Sequence, residues 1–87
     1  MPNRRMTPDA SADLRKEYGR RIKAARIQAG WTVASAAAKQ ANMGRTILAN
    51  LEAGRFAPTM ETLDRLITSL NLDPAHLFLG PDHRPSD

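Results

Sequence analysis

The stretch Gly44-Arg-Thr-Ile-Leu-Ala-Asn-Leu-Glu-Ala-Gly54 constrains the fold more than any other part of the chain. It reads as a short helix with two unlike faces. Leu48 and Leu51 lie three apart and can enter a core, while Arg45, Thr46 and Asn50 sit on turns that can face outward. Just before it, Asn42-Met43-Gly44 has the chemistry of a tight turn. Asn and Gly tolerate left-handed or otherwise unusual dihedrals, and a flexible Met between them can plug the gap between two helices. The expected layout is one helix, a turn, and a second helix offered outward.

Size and chemistry narrow what surrounds this unit. The 87 residues are enough for one domain. The chain has no cysteine, which removes disulfides, thiolate zinc sites and cysteine nucleophiles together. So small a domain must then be held by packing or by self-association. The net charge of +4 is unevenly spread. Residues 1–57 carry eleven Lys/Arg against four Asp/Glu, a net +7, and residues 58–87 carry two against five, a net −3. A basic first part favours polyanions, although a basic surface also serves solubility alone. No apolar run is long enough to span a membrane, and the N-terminus lacks the apolar core of a signal peptide. The expected location is the cytoplasm.

Residues 1–10 have no apolar periodicity and read as a flexible basic arm. Arg4 and Arg5 can reach phosphates or a minor groove, and a solvated tail fits the same composition. A first helix is expected over 11–29, capped by Ser11, with an apolar stripe of Leu14, Tyr18, Ile22 and Ala25. Its other faces carry Arg15, Lys16, Arg20, Arg21, Lys23 and Arg26, available to a DNA backbone or to solvent, and Gly30 stops it. Thr32 is the expected cap of an alanine-rich second helix over 33–41, with Trp31 closing the core over its start. The third helix ends at Gly54. Thr59 caps a fourth, from Met60 to about Asn71, in which Leu63, Leu66, Ile67 and Leu70 make the cleanest apolar face in the chain. Asp73-Pro74 has the cap-then-proline signature of a short fifth helix containing Leu77 and Phe78, followed by Leu79. Residues 80–87 read as a flexible tail. The ordered region is thus expected over 11–79, as a compact all-α bundle of about five helices around a central helix-turn-helix.

With the elements in order, the chain resembles the lambda-repressor/Cro-type helix-turn-helix family, the XRE-like regulators, from about Leu14 to Leu79. Four landmarks carry the resemblance: Tyr18 to Arg26, Ala29-Gly30-Trp31-Thr32, Leu51-Glu52-Ala53-Gly54, and Pro58 to Leu63 with Leu70-Asn71-Leu72. The resemblance implies a lambda-repressor-like bundle of about five helices, a homodimer, and binding to near-palindromic double-stranded DNA to control transcription. By position it implies that Arg45, Thr46, Ala49 and Asn50 face the major groove and that Gly44 begins the reading helix. It implies further that Gly54-Arg55 approaches the phosphate backbone and that Glu52 forms a salt bridge with Arg26. The chain departs from the pattern where a family member has Gln after the cap of its second helix. Val33 or Ala34 stands there, and alanines replace the usual Leu-Ala pair. The span from Gly30 to Gly54 is one residue longer, and Gly44 offers no hydroxyl.

The chemistry of these residue types is suited to DNA independently of the resemblance. An α-helix fits the major groove, where an Arg such as Arg45 can donate twice to guanine and an Asn such as Asn50 can pair with adenine. Thr46 can meet a thymine methyl or a phosphate. With the resemblance, Thr32, Gly44 and Arg55 are the expected backbone contacts and Leu72, Leu77, Phe78 and Leu79 the expected dimer interface, some of these four completing the core against Leu66 and Leu70; a dimer reads two half-sites roughly 34 Å apart. Arg45 alone could equally be solvated, and Ile47 could meet a thymine methyl or mark a protein-binding face. The alternative function is therefore a protein-binding antiactivator or antitoxin on the same fold. No enzyme, cofactor or metal site is expected. His76 reads as a surface helix residue, His83 lies in the tail, and neither has an acid or nucleophile at a recognisable spacing.

Overall fold

In the computed structural model, residues 8–80 are described, with side chains from residue 12 onward. The expectations for Arg4, Arg5 and His83 lie outside those residues. Five helices follow one another: α1 Pro8–Gln28, α2 Ala34–Gln40, α3 Arg45–Glu52, α4 Met60–Leu70 and α5 Pro74–Phe78. This is the all-α, five-helix bundle with a central helix-turn-helix, formed here by α2 and α3. α1 packs on α3 and α5, and α2 on α3 and α4.

One device ends four of the helices. Gly30, Asn42, Gly54 and Asn71 all have positive φ. In each case the next residue's N–H reaches back over the helix end: Trp31 to Arg26, Met43 to Ala38, Arg55 to Asn50 and Leu72 to Ile67, at 2.9–3.0 Å. A left-handed residue followed by that long backward bond satisfies carbonyls that would otherwise be orphaned. Gly and Asn are the residues that adopt this geometry cheaply, so these stops were legible in the sequence.

The helix starts are less uniform. Thr59 accepts from Thr62 N–H at 3.0 Å and Asp73 from Ala75 N–H at 3.0 Å, as their positions predict. α1 begins three residues before the expected Ser11 cap, with Pro8 as its first residue, where a proline loses no hydrogen bond. Thr32 does not cap α2. Val33 holds the cap position, with no side-chain bond, and Ala34 follows it in the place where the resemblance puts Gln.

The core joins Ile22 and Ala25 of α1, Ala37 and Ala38 of α2, Ala41, Leu48 and Leu51 of α3, Leu63, Leu66 and Leu70 of α4, and Leu72 and Leu77. The small alanines of α2 are themselves buried. Trp31 packs against this core and donates from Nε1 to the Leu70 carbonyl at 3.1 Å, tying the start of α2 to the end of α4. Leu14 and Tyr18 do not join the core with the rest of their stripe. Leu14 is exposed, and both border an open apolar depression of about 270 Å³ with Pro58, Met60, Leu63 and Phe78. His76 is not a plain surface residue either: it is half-buried, and its Nδ1 is buried without a hydrogen-bond partner.

Candidate nucleic-acid interface

α3 is held firmly from one side. Leu48 and Leu51 are buried in the core. Glu52 accepts from Arg26 Nε at 2.7 Å and from Arg26 Nη2 at 3.1 Å, a bidentate pair. Arg26 Nη1 also donates to the Trp31 carbonyl at 2.6 Å, so this buried guanidinium is well supplied with acceptors. A desolvated charge requires that compensation. The ion pair implied by the resemblance is therefore present, and it fixes α3 against α1.

Two glycines bring those helices together. A Cβ on Gly19 would lie 2.5 Å from the Glu52 carbonyl oxygen and 2.6 Å from that of Leu51. A Cβ on Gly54 would lie 2.7 Å from Lys16 Cα, and Gly54 has φ 76° besides. The end of α3 thus rests directly on the backbone of α1. Gly19 was not singled out from the sequence for this. A glycine inside a helical pattern does hint at close approach, but it does not say to what.

The other side of α3 is open. Gly44 is its N-cap, extended at φ −67° and ψ 145°, with no side-chain bond. Arg45, Thr46, Ile47 and Ala49 are exposed and Asn50 is half-buried. Arg45 and Gly44 share the rim of an open depression of about 430 Å³ with Ser35, Lys39 and Asn42. Lys39 is thus a further cation beside the start of α3, one that sequence spacing did not indicate. Arg55 is exposed just beyond the helix and donates from Nη1 to Asn50 Oδ1 at 3.2 Å. Four of the expected contact residues therefore lie on α3 or at its cap, and Arg55 is bonded to one of them. Thr32 is exposed in the turn between α1 and α2.

The basic face of α1 is largely engaged within the protein. Arg20 and Arg21 both pair with Glu17, the latter at 2.9 Å. Arg21 also donates to the Leu77 carbonyl at 3.2 Å and lies over the Tyr18 ring. Arg15 donates to the Gly54 carbonyl at 3.4 Å. Hydrogen bonds from Arg21 and then Arg20 hold the Glu17 carboxyl below its ordinary pKa. Of the expected dimer residues, Leu72 and Leu77 are 4% and 0% exposed and serve their own core, whereas Phe78 and Leu79 are exposed.

Two short helices joined by a tight turn, the second buried on one side and open on the other, form a helix-turn-helix. The chain belongs to the helix-turn-helix family, whose model matches residues 22–77, from the middle of α1 to α5. Comparison with curated proteins and with solved structures found no match. Family and fold together support DNA binding and transcription regulation as the general function. No helix among the described residues is long and apolar enough to cross a membrane.

Proposed function

We propose that the chain is a sequence-specific transcriptional regulator of the lambda-repressor/Cro type, acting as a homodimeric repressor on a near-palindromic operator. One observation carries this reading. α3 is anchored on its inner side by Leu48, Leu51 and Glu52, while Arg45, Thr46 and Asn50 stand free of the core. Such a helix can enter the major groove without disturbing the fold. In this reading Arg45, Thr46 and Asn50 contact bases, and Thr32, Gly44 and Arg55 contact the backbone. Phe78 and Leu79 supply the exposed part of the dimer interface, and the depression between Leu14, Met60 and Phe78 extends the same apolar surface.

Selection from a random DNA pool with the full chain tests this directly. A two-fold symmetric site with half-sites about 34 Å apart is expected, with binding that weakens steeply as salt rises. Arg45→Ala should lose about 1–3 kcal/mol of discrimination at one base pair while leaving thermal stability nearly unchanged. Recovery of no preferred sequence at moderate salt would overturn the proposal.

Ile47 and Val33, 47% and 58% exposed, favour a second reading. Exposed apolar side chains on α3 and at the start of α2 suit a protein surface, as in an antiactivator or antitoxin. A stoichiometric protein partner that binds without DNA selectivity, and is lost in Ile47→Asp, would select this reading over the first.

A further inference from the structure

We propose that Asn50 reads a base by donating from its Nδ2 group, and that Arg55 is the positioning residue that sets the amide that way. This rests on the DNA-binding reading of α3 and adds to it the chemistry of one contact. A side-chain amide has a donor end and an acceptor end, and either can be turned outward. A guanidinium can only donate. Because Arg55 Nη1 bonds to Asn50 Oδ1, the oxygen is the end turned toward Arg55, and the two Nδ2–H groups are the end left unengaged.

The side-chain bond lies at the surface, but the backbones that carry it are fixed at the helix end. The backbone N–H of Arg55 donates to the Asn50 carbonyl at 3.0 Å, which fixes the two residues relative to each other. Between them, Gly54 is buried with φ 76° and lies so close to Lys16 that it has no room for a side chain. Arg15 donates to the Gly54 carbonyl. Arg55 therefore leaves the end of α3 from a position fixed by α1.

An outward donor selects among bases. In the major groove guanine shows N7 and O6, thymine O4 and adenine N7 as acceptors, whereas cytosine shows only its N4 donor. The position facing Asn50 should therefore accept guanine, adenine or thymine and reject cytosine. One donor–acceptor bond is worth a roughly fivefold preference. The adenine pairing that an unconstrained Asn would favour loses its privilege, because Arg55 already draws on the oxygen.

The test is base preference at that position, measured by selection and by competition binding with the full chain. Preference is compared within each variant, so loss of a phosphate contact by Arg55 cancels. Wild type should discriminate against cytosine, and Asn50→Ala should abolish the discrimination. Arg55→Lys, which also only donates, should retain it, and Arg55→Ala should weaken it. Arg55→Glu should invert it, since a carboxylate accepts from Nδ2 and turns Oδ1 outward, toward cytosine N4 or adenine N6. A wild-type preference that survives unchanged in Arg55→Ala and Arg55→Glu overturns the positioning role while the DNA reading stands. A wild type with no selected sequence at all overturns both.

Discussion

The two sides of α3 obey different rules. On the inner side, Leu48, Leu51 and Glu52 meet a core, a buried guanidinium and a glycine-lined backbone contact at once. On the outer side, Gly44, Arg45, Thr46 and Ile47 are exposed, and a Cβ on Gly44 would touch only Ile47, at an ordinary 3.5 Å. The inner side is over-determined and cannot be altered cheaply. The outer side is constrained by what it binds, so the fold alone leaves its residues free. A site is readable in such a molecule as the surface where a rigid element stops serving its own core.

The sharpest way to break the inner side is Glu52→Ala. Arg26 would keep its burial and lose its counter-charge, which costs about 3–5 kcal/mol when one partner of a buried pair is removed. Set against a total stability on the order of 5–15 kcal/mol, that leaves the domain marginal or unfolded. Urea denaturation should show it as a large fall in midpoint at similar slope. Replacing Arg26 and Glu52 together by Met and Leu should recover much of the loss. If the single variant is nearly as stable as wild type, Arg26–Glu52 does not fix α3 against α1.

Gly19→Ala tests the same contact through shape. The added methyl would press on two carbonyl oxygens of α3, and overpacking of this kind costs about 1–3 kcal/mol. It should also shift α3 relative to α1 and so weaken any DNA binding beyond the stability loss. Alanine normally stabilises a helix interior relative to glycine, so a more stable variant would show that the close approach is not real.

These two residues also show where sequence reading succeeded and where it stopped. The helix stops at Gly30, Gly54 and Asn71, the turn at Asn42, and the caps Thr59 and Asp73 were legible because each depends on its own dihedrals or on a neighbour within a few residues. The apolar face of α4 was legible from its spacing for the same reason. What escaped depends on distant segments: Gly19 against Leu51 and Glu52, and Arg21 against the end of α5. The bond from Arg55 to Asn50 is local, and it escaped because spacing does not say which way a long side chain turns back. Leu72, Leu77, Phe78 and Leu79 were expected to divide between core and dimer interface, but periodicity reports that a residue is apolar, not which surface covers it; burial places Leu72 and Leu77 in the core. The α2 cap escaped for a local reason. Thr32 has the right chemistry, but the turn after Gly30 places Val33 at the helix start instead.

That misplacement offers a gain on the outer side. Val33 is exposed, extended at φ −99° and ψ 115°, and caps nothing. Val33→Thr keeps the branched shape and adds a hydroxyl that can accept from the first turn of α2, worth typically about 1 kcal/mol. The expected outcome is a melting temperature raised by several degrees with DNA binding retained. An unchanged or lower value would place the true start of α2 elsewhere and undo the contrast between Thr32 and Val33.

The smallest effect concerns whether the cations of α1 belong to the protein or to a partner. Glu17 is held below its ordinary pKa by Arg21 and Arg20. A carboxyl with a lowered folded-state value stabilises the fold above its unfolded value. That contribution starts to fade as pH falls below the ordinary value of 4.5 and is gone once pH passes through the lowered folded value. Wild type should therefore lose stability more steeply over that acid window than Glu17→Gln, which has no proton to take up there. Measured as denaturation midpoints from pH 6 downward, the two curves should converge as the pH drops. Parallel curves would mean that Glu17 draws nothing from Arg20 and Arg21, which would return Arg20 to the surface available for phosphate and leave Arg21 held by the Leu77 carbonyl. Convergence would instead mean that Arg20 and Arg21 must first break a bond to Glu17 to reach phosphate, whereas Arg45, Lys39 and Arg55, with the exposed Lys16 and Lys23, need not.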